Sequence, residues 1–332
     1  MKAELLKTTA DVTTNPLANV DFPQPTPAAG EILVKIDVCA VCHTDLHVVE
    51  GELPNIRLPI IPGHQIVGRV DACGEGVTRF KPGDRVGIFW LHWADGTCEF
   101  CKRGEENLCP NAQFTGYTAQ GGYAEYTTVH QDFALSLPAN FSDVEVAPLL
   151  CAGIVGYRSV KLSDLKKGER LGLFGYGASA DICIQVARYW GCEVYVFTRS
   201  QDHQKMALDR GAAWVGQADG KPPAKLDRAI IFAPVGSLIP VALGHLRNAG
   251  TLCINAIYTS PIPEMPYSLL WGERTIRTVA NVTRRDAEEF LPLAAEIPIR
   301  SATQLFPLNE ANKALQMLKH SQINGSAVLQ IS

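Results

Sequence analysis

The sequence predicts an α/β protein with two domains, one rich in short β-strands and one built on a parallel sheet. Its 332 residues exceed the size at which a single hydrophobic core usually stops growing. Short strand patterns separated by glycine and proline fill residues 1–152, which is typical of a barrel-like β domain. Strand and helix patterns alternate over residues 153–281, which predicts βαβ units and a parallel sheet.

Composition narrows the class of protein before any motif is considered. The formal net charge of −4 argues against a nucleic-acid or other polyanionic partner. The sequence has no apolar run long enough to cross a bilayer and no long apolar segment of a secretory signal near its start. Ten cysteines in such a chain favour free thiols and metal ligands over disulfides. We therefore expect a cytoplasmic protein without a membrane partner.

The first domain opens with strands. Residues 31–38 (EILVKIDV) alternate enough to form a half-buried strand, and the turn sequence TPAAG precedes them. Residues 66–73 (IVGRVDAC) predict a second strand, and residues 74–87 alternate turns with short strands. A further strand pattern covers residues 120–129. Many short strands with glycine and proline between them indicate a β domain.

Residues 39–68 contain a cluster of potential metal ligands. Cys42 and His64 offer a thiolate and an imidazole, and a catalytic zinc takes three protein ligands and leaves a fourth position open. Cys151, far along the chain in PLLCAG, is the candidate third ligand. Thr44 and His47 follow closely and can place a hydroxyl and a second imidazole beside the metal. Isolated cysteines are more often small core residues, which is our expectation for Cys39, Cys73, Cys183, Cys192 and Cys253.

Over essentially its whole length, the chain resembles the zinc-dependent medium-chain alcohol dehydrogenase family. The family pattern is Cys-x-Ser/Thr-Asp, then Gly-His-Glu, then a distant cysteine; this chain has CHTD at 42–45, GHQ at 63–65, and Cys151. Two cysteines and one histidine are the catalytic zinc ligands typical of alcohol dehydrogenases. The resemblance implies a GroES-like β-rich catalytic domain over 1–152, a Rossmann-type doubly wound parallel sheet over 153–281, and a return to the catalytic domain over 282–332.

Residues 95–109 predict a second, structural zinc. Cys98, Cys101 and Cys109 have metal-ligand spacing in a polar, glycine-containing loop. The family usually carries a fourth cysteine three residues earlier, where this chain has Asp95, and a carboxylate keeps the same ligand charge. We predict a closed tetrahedral set of these four residues, and a lobe without metal is the alternative. Other candidates for the fourth ligand are His92 and Glu99.

The resemblance also assigns roles to residues around the catalytic metal. Thr44 takes the alcohol proton, which passes through the cofactor ribose to His47 at the surface. Asp45 is a hydrogen-bond acceptor for the zinc-bound imidazole of His64. Gln65 departs from the family, which has an acidic residue there, behind the zinc. An uncharged amide at that position leaves the metal more electrophilic.

Trp90 falls where the family lines its substrate pocket with a bulky side chain. A core aromatic is the alternative reading of this residue. Leu91 and Trp93 are further candidates for the pocket. Apolar pocket residues favour small to medium aliphatic or aromatic alcohols over charged ones.

The second domain opens with a nucleotide-binding pattern. Residues 170–174 (RLGLF) predict a buried strand, residues 175–180 (GYGASA) a glycine turn, residues 181–190 a helix, and residues 193–198 the next strand. In this context the glycine pattern is a dinucleotide-binding fingerprint. Its two glycines let the backbone approach a pyrophosphate, which the helix N–H groups then stabilise, and alanine is allowed at the third position. The predicted binding residues are Gly175, Gly177, Ala178, Ser179 and Ala180.

The end of the second strand indicates which dinucleotide binds. NAD enzymes place an acidic residue there to bind the ribose 2′-hydroxyl, but this chain has Thr198, Arg199 and Ser200. A guanidinium beside two hydroxyls suits a 2′-phosphate. We therefore predict NADP(H) as the preferred cofactor and NAD(H) as a possible one. The alternative is a solvated Arg199, with NAD held by backbone contacts.

The remaining elements follow the same alternation. Strands are predicted at 226–233, 250–255 and 275–280, with a helix at 237–248. Helices at 285–295 and 309–320 complete the chain.

Taken with the resemblance, these residues imply a zinc-dependent oxidoreductase. It transfers a hydride between NADP(H) or NAD(H) and a zinc-bound alcohol, aldehyde or ketone, with one catalytic and one structural zinc and a small-molecule substrate. The family implies a homo-oligomer, a dimer or a tetramer. The alternatives are a zinc-free quinone or enoyl reductase, a polyol or secondary-alcohol dehydrogenase, and a non-catalytic nucleotide-binding protein. The metal ligands argue against the first, and Thr44 with His47 against the last.

Overall fold

The computed structural model describes residues 1–323 and 325–332. The chain forms two compact units. The first contains Met1–Cys151, Thr283–Ala295 and Arg300–Ser332, and the second contains Ala152–Val282 and Glu296–Ile299. Within the described ranges, no helix is both long enough and apolar enough to span a bilayer.

The helices and strands are numbered along the chain. The helices are α1 (His43–Glu50), α2 (Glu99–Lys102), α3 (Asp143–Val146), α4 (Ala152–Leu162), α5 (Ala178–Tyr189), α6 (Gln201–Asp209), α7 (Leu238–His245), α8 (Arg284–Glu296) and α9 (Ala311–Lys319). The strands are β1 (Lys2–Leu6), β2 (Leu17–Asp21), β3 (Glu31–Ala40), β4 (Gln65–Cys73), β5 (Arg85–Ile88), β6 (Leu91–Trp93), β7 (Gln113–Phe114), β8 (Tyr126–His130), β9 (Ala134–Ser136), β10 (Arg170–Phe174), β11 (Glu193–Phe197), β12 (Trp214–Gly216), β13 (Leu226–Ile231), β14 (Leu246–Ile254), β15 (Thr275–Thr278), β16 (Thr303–Pro307) and β17 (Ser326–Gln330).

The first unit is organised around β3. This strand lies in a seven-stranded sheet of order β16-β17-β3-β4-β5-β9, and β8 also pairs with β3. The pairings of β3 with β4, β8 and β17 are all antiparallel. The side chains of Ile32, Val34 and Ile36 are fully buried, so β3 contributes apolar residues to the core of this unit. The two strands predicted at 31–38 and 66–73 are thus neighbours in one sheet.

The second unit is the predicted parallel sheet. Six strands run in the order β12-β11-β10-β13-β14-β15, and every pairing between them is parallel. Apolar side chains of β10 face two separate core clusters, Leu171 and Leu173 in one and Phe174 in the other. The strand order changes direction between β10 and β13, and in open α/β sheets ligands bind at such a point, beyond the carboxyl ends of the strands.

Several predicted boundaries shift for local physical reasons. The helix predicted at 237–248 ends at His245, because Leu246 already has extended backbone and begins β14. The helix predicted from residue 309 begins at Ala311, after a short 3₁₀ turn. Only the end of the strand predicted at 120–129 forms, because the N–H groups of residues 121–123 donate to the carbonyls of the irregular segment 61–63 and not to a neighbouring strand.

Candidate metal and nucleotide sites

Strand pairing in the first unit brings Cys42 and His64 to the same end of the sheet. Strands β3 and β4 are antiparallel, with Ala40 opposite Gln65 as the terminal pair. Cys42 follows the end of β3 as the N-cap residue of α1, and His64 directly precedes β4. Residues just outside a terminal pair are close in space, although they are distant in sequence. The sheet register therefore juxtaposes the two predicted ligands.

Cys151 completes this group. It follows a 3₁₀ turn (Ala147–Leu150), and its Sγ lies 4.0 Å from the Sγ of Cys42. One ligand atom from each of Cys42, His64 and Cys151 lies within 4.8 Å of the others. The Cys151 thiol and His64 stabilise the Cys42 thiolate and lower its pKa well below the usual value, whereas the neighbouring Cys42 and burial raise the pKa of Cys151. Two adjacent thiolates repel each other, so this donor set suits a divalent cation.

Asp45 fixes the orientation of the His64 ring. Its Oδ1 lies 2.9 Å from Nδ1 of His64 and accepts the N–H of Gly63 at 3.2 Å. Its Oδ2 accepts the N–H of Cys42 at 2.8 Å. The Nε2 atom of His64 is buried and has no hydrogen-bond partner among the residues that the structure describes. Although burial opposes it, Asp45 and Cys42 raise the pKa of His64 to about 10, so a bound cation would displace the proton from Nε2 while Nδ1–H stays donated to the carboxylate. The residues present therefore fit zinc.

Thr44 and His47 occupy one region of α1. The Oγ1 atom of Thr44 lies 3.8 Å from Sγ of Cys42, and the Thr44 side chain is buried. His47 comes three residues later, on the same face of the helix, and is partly exposed. Its Nδ1 contacts the carboxylate of Glu52, which the sequence analysis did not identify. The hydroxyl is thus the inner group of the pair and the imidazole the outer one.

Trp90 forms an aromatic wall beside His64. The two rings meet edge to face, with centroids 5.2 Å apart. Trp90 also stacks on Phe114 at 5.2 Å and on Tyr117 at 5.7 Å. Phe114 and Tyr117 were missed in the sequence analysis. The available signal was the aromatic spacing F-x-x-Y directly after the cysteine-rich loop. All three rings contribute apolar surface next to a predicted metal ligand.

The other residues predicted around this site have less specific surroundings. Gln65 is buried at the start of β4, where its backbone pairs with Ala40. Leu91 is fully buried in β6. Trp93 lines a separate cavity of about 150 Å³, together with Glu31, His92, Gln113 and His130.

The cysteine-rich loop gathers a second group of four ligands. One donor atom from each of Asp95, Cys98, Cys101 and Cys109 lies within 4.8 Å of the others. The Sγ atom of Cys98 accepts the N–H of Cys101 at 3.4 Å, which positions two of the sulfurs across one turn. Burial and the neighbouring Cys98 raise the pKa of Cys101 to about 12. A dication would offset that penalty, so this cluster also fits zinc.

Hydrogen bonds hold the Asp95 carboxylate in this group. Its Oδ1 accepts the N–H groups of Cys98 at 2.9 Å and Thr97 at 2.8 Å, and its Oδ2 accepts from Asn111 at 2.9 Å. The bond from the Cys98 backbone, together with those from Asn111 and Thr97, lowers the pKa of Asp95 far below its usual value. The carboxylate is therefore ionised at neutral pH, as a zinc ligand must be.

The alternative fourth ligands lie in other surroundings. Glu99 forms an ion pair with Arg103 at 3.1 Å. Nδ1 of His92 lies 3.4 Å from the hydroxyl of Thr115. Burial lowers the pKa of His92 to about 4. Neither residue belongs to the four-residue cluster.

The glycine turn of the second unit has the local geometry that phosphate binding requires. Gly175 has φ +89°, in the left-handed region, and an added Cβ would lie 3.0 Å from the backbone nitrogen of Ala233. An added Cβ at Gly177 would meet nothing within 4 Å, so open space lies in front of the turn. Gly177 is the N-cap of α5 and offers no side-chain cap to the N–H groups of Ala178, Ser179 and Ala180. An anion can accept from these donors.

Three predicted cofactor residues follow β11. Thr198 is buried, and its N–H donates to the carbonyl of Gly216 at 2.8 Å. Ser200 is the N-cap of α6, where its hydroxyl accepts the N–H of His203. Arg199 between them is exposed and forms no ion pair within the part of the chain that the structure describes. Its guanidinium is therefore available to an anion.

Comparisons with known proteins identify relatives that match this chain over most of its length. Residues 28–139 match the family model described as the alcohol dehydrogenase GroES-like domain. The chain is 47% identical over 337 aligned positions, covering 100% of this chain and 97% of the relative, to a probable alcohol dehydrogenase, AdhA, of Mycobacterium tuberculosis. It is 35% identical to an alcohol dehydrogenase of Geobacillus stearothermophilus, covering 91% and 92% of the two chains. A cinnamyl alcohol dehydrogenase from Sorghum bicolor has a TM-score of 0.91 and 27% identity, covering 98% and 97%.

Proposed function

We infer the function of this chain from its family, because it belongs to the zinc-type medium-chain alcohol dehydrogenases. On that premise we propose which residues form its two metal sites and its cofactor site. The enzyme interconverts an alcohol and an aldehyde or ketone with a nicotinamide cofactor. Cys42, His64 and Cys151 hold the catalytic zinc. The structural zinc is held by Asp95, Cys98, Cys101 and Cys109. The observation that carries the proposal is the convergence of two cysteine sulfurs and one nitrogen of a buried imidazole within 4.8 Å of one another.

The protein groups around the catalytic site have distinct tasks. When bound, zinc supplies Lewis acidity that polarises the substrate oxygen. Asp45 holds the His64 ring in the tautomer that presents Nε2. Thr44 Oγ1, in its buried position, accepts the proton of the substrate hydroxyl as its own O–H proton passes outward, and His47 delivers that proton to solvent. Glu52 contacts Nδ1 of His47 and orients its ring.

The aromatic wall supports a preference for uncharged substrates. Trp90, Phe114 and Tyr117 present stacked rings beside the His64 imidazole. This apolar surface excludes water, so it stabilises aromatic or aliphatic groups of a bound substrate more than charged ones. We propose small to medium aliphatic or aromatic alcohols and aldehydes as the substrate class.

NADP(H) is the proposed cofactor of choice. The exposed Arg199 lies between the hydroxyl residues Thr198 and Ser200, and this segment contains no carboxylate that would repel a 2′-phosphate. A guanidinium pairs with phosphate through two parallel hydrogen bonds. NAD(H) can still occupy the glycine turn, because the pyrophosphate contacts are common to both dinucleotides.

A homo-oligomer is the proposed assembly. Strand β15 is the edge of the parallel sheet, all four of its residues are exposed, and an unpaired edge can pair with a second copy. Tyr267 and Trp271, which precede it, are 70% and 69% exposed. Light scattering should show a dimer or tetramer, and Trp271→Glu should dissociate it. A monomeric wild type would contradict the proposal. The ten free thiols are consistent with a cytoplasmic enzyme, which we also propose.

Metal analysis combined with activity tests the function. Wild-type enzyme is expected to hold two zinc ions per chain and to oxidise primary or secondary alcohols with NADP⁺, followed by absorbance. Cys42→Ser should lose one zinc and the activity, whereas Cys98→Ser should lose one zinc and mainly thermal stability. Wild-type enzyme with no zinc, or Cys42→Ser with full metal content and activity, would overturn the proposal. The matched control is Cys73→Ser, because Cys73 lies outside both clusters.

A further inference from the structure

A carboxylate lies in the first turn of the helix that follows the glycine turn. Asp181 is 7% exposed, and the dinucleotide-binding fingerprint does not require an acidic residue there. The guanidinium of Arg210 binds it through two contacts, Nε to Oδ1 at 2.9 Å and Nη2 to Oδ2 at 3.1 Å. The hydroxyl of Tyr176 donates to Oδ1 at 2.9 Å. Asp181 and Tyr176 are buried and Arg210 is partly exposed, and we call these three residues the Asp181 array.

The position of Asp181 creates an electrostatic problem for anion binding. The N-terminal turn of α5 is the part of the helix that favours negative charge, and a carboxylate in it competes with a bound phosphate for that potential. A buried carboxylate without a partner is also strongly unfavourable. Arg210 offsets this charge with a two-contact ion pair, the geometry that best fits a carboxylate. The pair therefore keeps the turn suited to an anionic ligand.

Tyr176 connects the array to the glycine turn itself. It lies between Gly175 and Gly177 and is 4% exposed. Burial and the charge of Asp181 raise the pKa of its hydroxyl, which thus stays protonated and donates. Its bond to Asp181 spans the turn, from the second residue after β10 to the first turn of α5. Such a bridge restricts the backbone N–H groups of residues 177–180 to one arrangement before a ligand arrives.

Arg210 connects the array to α6. It is the C-cap residue of this helix, and Ser200 is the N-cap residue of the same helix. The ring of His203 in the first turn of α6 lies 6.2 Å from the ring of Tyr176. One array thus contacts both the proposed pyrophosphate turn and the helix that follows Thr198, Arg199 and Ser200. The two halves of the proposed dinucleotide site share a common support.

We infer that Tyr176, Asp181 and Arg210 are positioning residues for the dinucleotide. Together they fix the phosphate-binding turn against α6, and Arg210 offsets the charge of the buried Asp181 carboxylate. This inference rests on the proposed function, because it assumes that the dinucleotide binds at residues 175–180. The array acts on the affinity for the dinucleotide and leaves the hydride-transfer step unchanged. NADP(H) and NAD(H) are affected alike, because both carry the pyrophosphate.

The test compares the array with a matched ion pair in the same unit. Arg228 also binds a carboxylate through two contacts, to Glu169 at 3.1 and 3.2 Å, but it lies in the first half of β13, toward the amino ends of the strands. Dissociation constants for NADPH and NADH are measured on the full-length holoenzyme by nucleotide fluorescence. Melting temperatures and the kcat and KM for each cofactor are measured in parallel. The variants are Tyr176→Phe, Arg210→Met, Asp181→Asn/Arg210→Met and Arg228→Met.

We expect Arg210→Met to weaken both dinucleotides about tenfold, because it leaves Asp181 uncompensated. Arg228→Met should leave binding within about twofold of wild type, although both variants lower the melting temperature. Tyr176→Phe should weaken binding about threefold with kcat unchanged. Asp181→Asn/Arg210→Met should recover binding to within about threefold, because it removes the uncompensated charge.

Two results would overturn the inference. One is equal loss of dinucleotide affinity in Arg210→Met and Arg228→Met, which would mean that only stability is affected. The other is a double variant that binds no better than Arg210→Met. A wild-type enzyme that binds neither dinucleotide would instead overturn the proposed function, and the inference would fail with it.

Discussion

Asp45 and His64 form a hydrogen-bonded pair in which both side chains are almost completely buried, with 2.9 Å between Oδ1 and Nδ1. The same carboxylate accepts the backbone N–H groups of Gly63 and Cys42. The Asp45 side chain therefore orients the proposed ligand His64 and also links the backbone segments that carry His64 and Cys42. Its effect on metal binding can be measured separately from catalysis.

Asp45→Asn should weaken binding of the catalytic zinc about tenfold to a hundredfold, because a neutral amide is a poorer partner for the imidazole N–H than a carboxylate. Competition with a chromophoric chelator measures the zinc affinity. The catalytic zinc should exchange faster than in wild type, and the structural zinc should exchange at the wild-type rate. Asp71→Asn, an exposed change on β4, is the control. Equal zinc affinity in Asp45→Asn and wild type would contradict the assigned role.

Gln65→Glu should change the pH dependence of kcat/KM, because it adds an ionisable group directly after a proposed zinc ligand. A carboxylate there would reduce the electrophilicity of a bound metal and raise the pKa of a bound alcohol, so the rising part of the profile should move to higher pH. The rate is measured from pH 6 to 10 with Gln217→Glu, an exposed substitution of the same kind, as the control. Superimposable profiles for all three proteins would make residue 65 a packing position.

Arg199→Ala should weaken NADPH about tenfold to a hundredfold and NADH less than about twofold, because only NADPH carries the phosphate that the guanidinium would bind. Direct titration with each dinucleotide gives both constants. Lys221→Ala removes an equal charge from an exposed position elsewhere in the unit and serves as the control. Similar losses for both cofactors would show that Arg199 does not read the 2′-phosphate.

His92 should make the protein less stable as the pH falls from 7 to 5. Burial lowers its pKa from 6.5 to about 4, so below pH 6.5 the unfolded chain binds a proton that the folded chain does not. Stability present above the unfolded pKa is therefore lost on acidification, by about 2 kcal/mol at pH 5 for this one group. Chemical denaturation of wild type and His92→Gln at both pH values measures the difference. An equal pH dependence in the two proteins would contradict it.

Local patterns were sufficient to predict the main features of both units. The glycine turn between a strand and a helix predicted the start of the parallel sheet, and CHTD with GHQ identified the segment where Cys42 and His64 meet. Each of these signals lies in a short stretch whose spacing is set by the backbone alone. For that reason they could be recognised without knowledge of the tertiary structure.

Contacts between segments that are distant in the sequence could not be predicted in the same way. Phe114 and Tyr117 reach Trp90 only because the cysteine-rich loop folds back to pair β6 with β7. Asp181 and Arg210 are both charged, and in helical sequence such residues usually indicate a solvent-exposed face. Their pairing, and the burial of Asp181, depend on the packing of α5 near the end of α6, which the periodicity of neither helix predicts.

The pairing of β3 with β4 has a consequence for how the protein matures. Because Ala40 opposite Gln65 is the last rung before Cys42 and His64, a slip of one residue would turn the side chains of β4 to the other face and separate the two donors. Metal capture at this site must therefore follow correct sheet formation. Zinc added during refolding would bind preferentially to molecules with the native strand alignment, so it would favour the correct topology as well as serve catalysis in the finished enzyme.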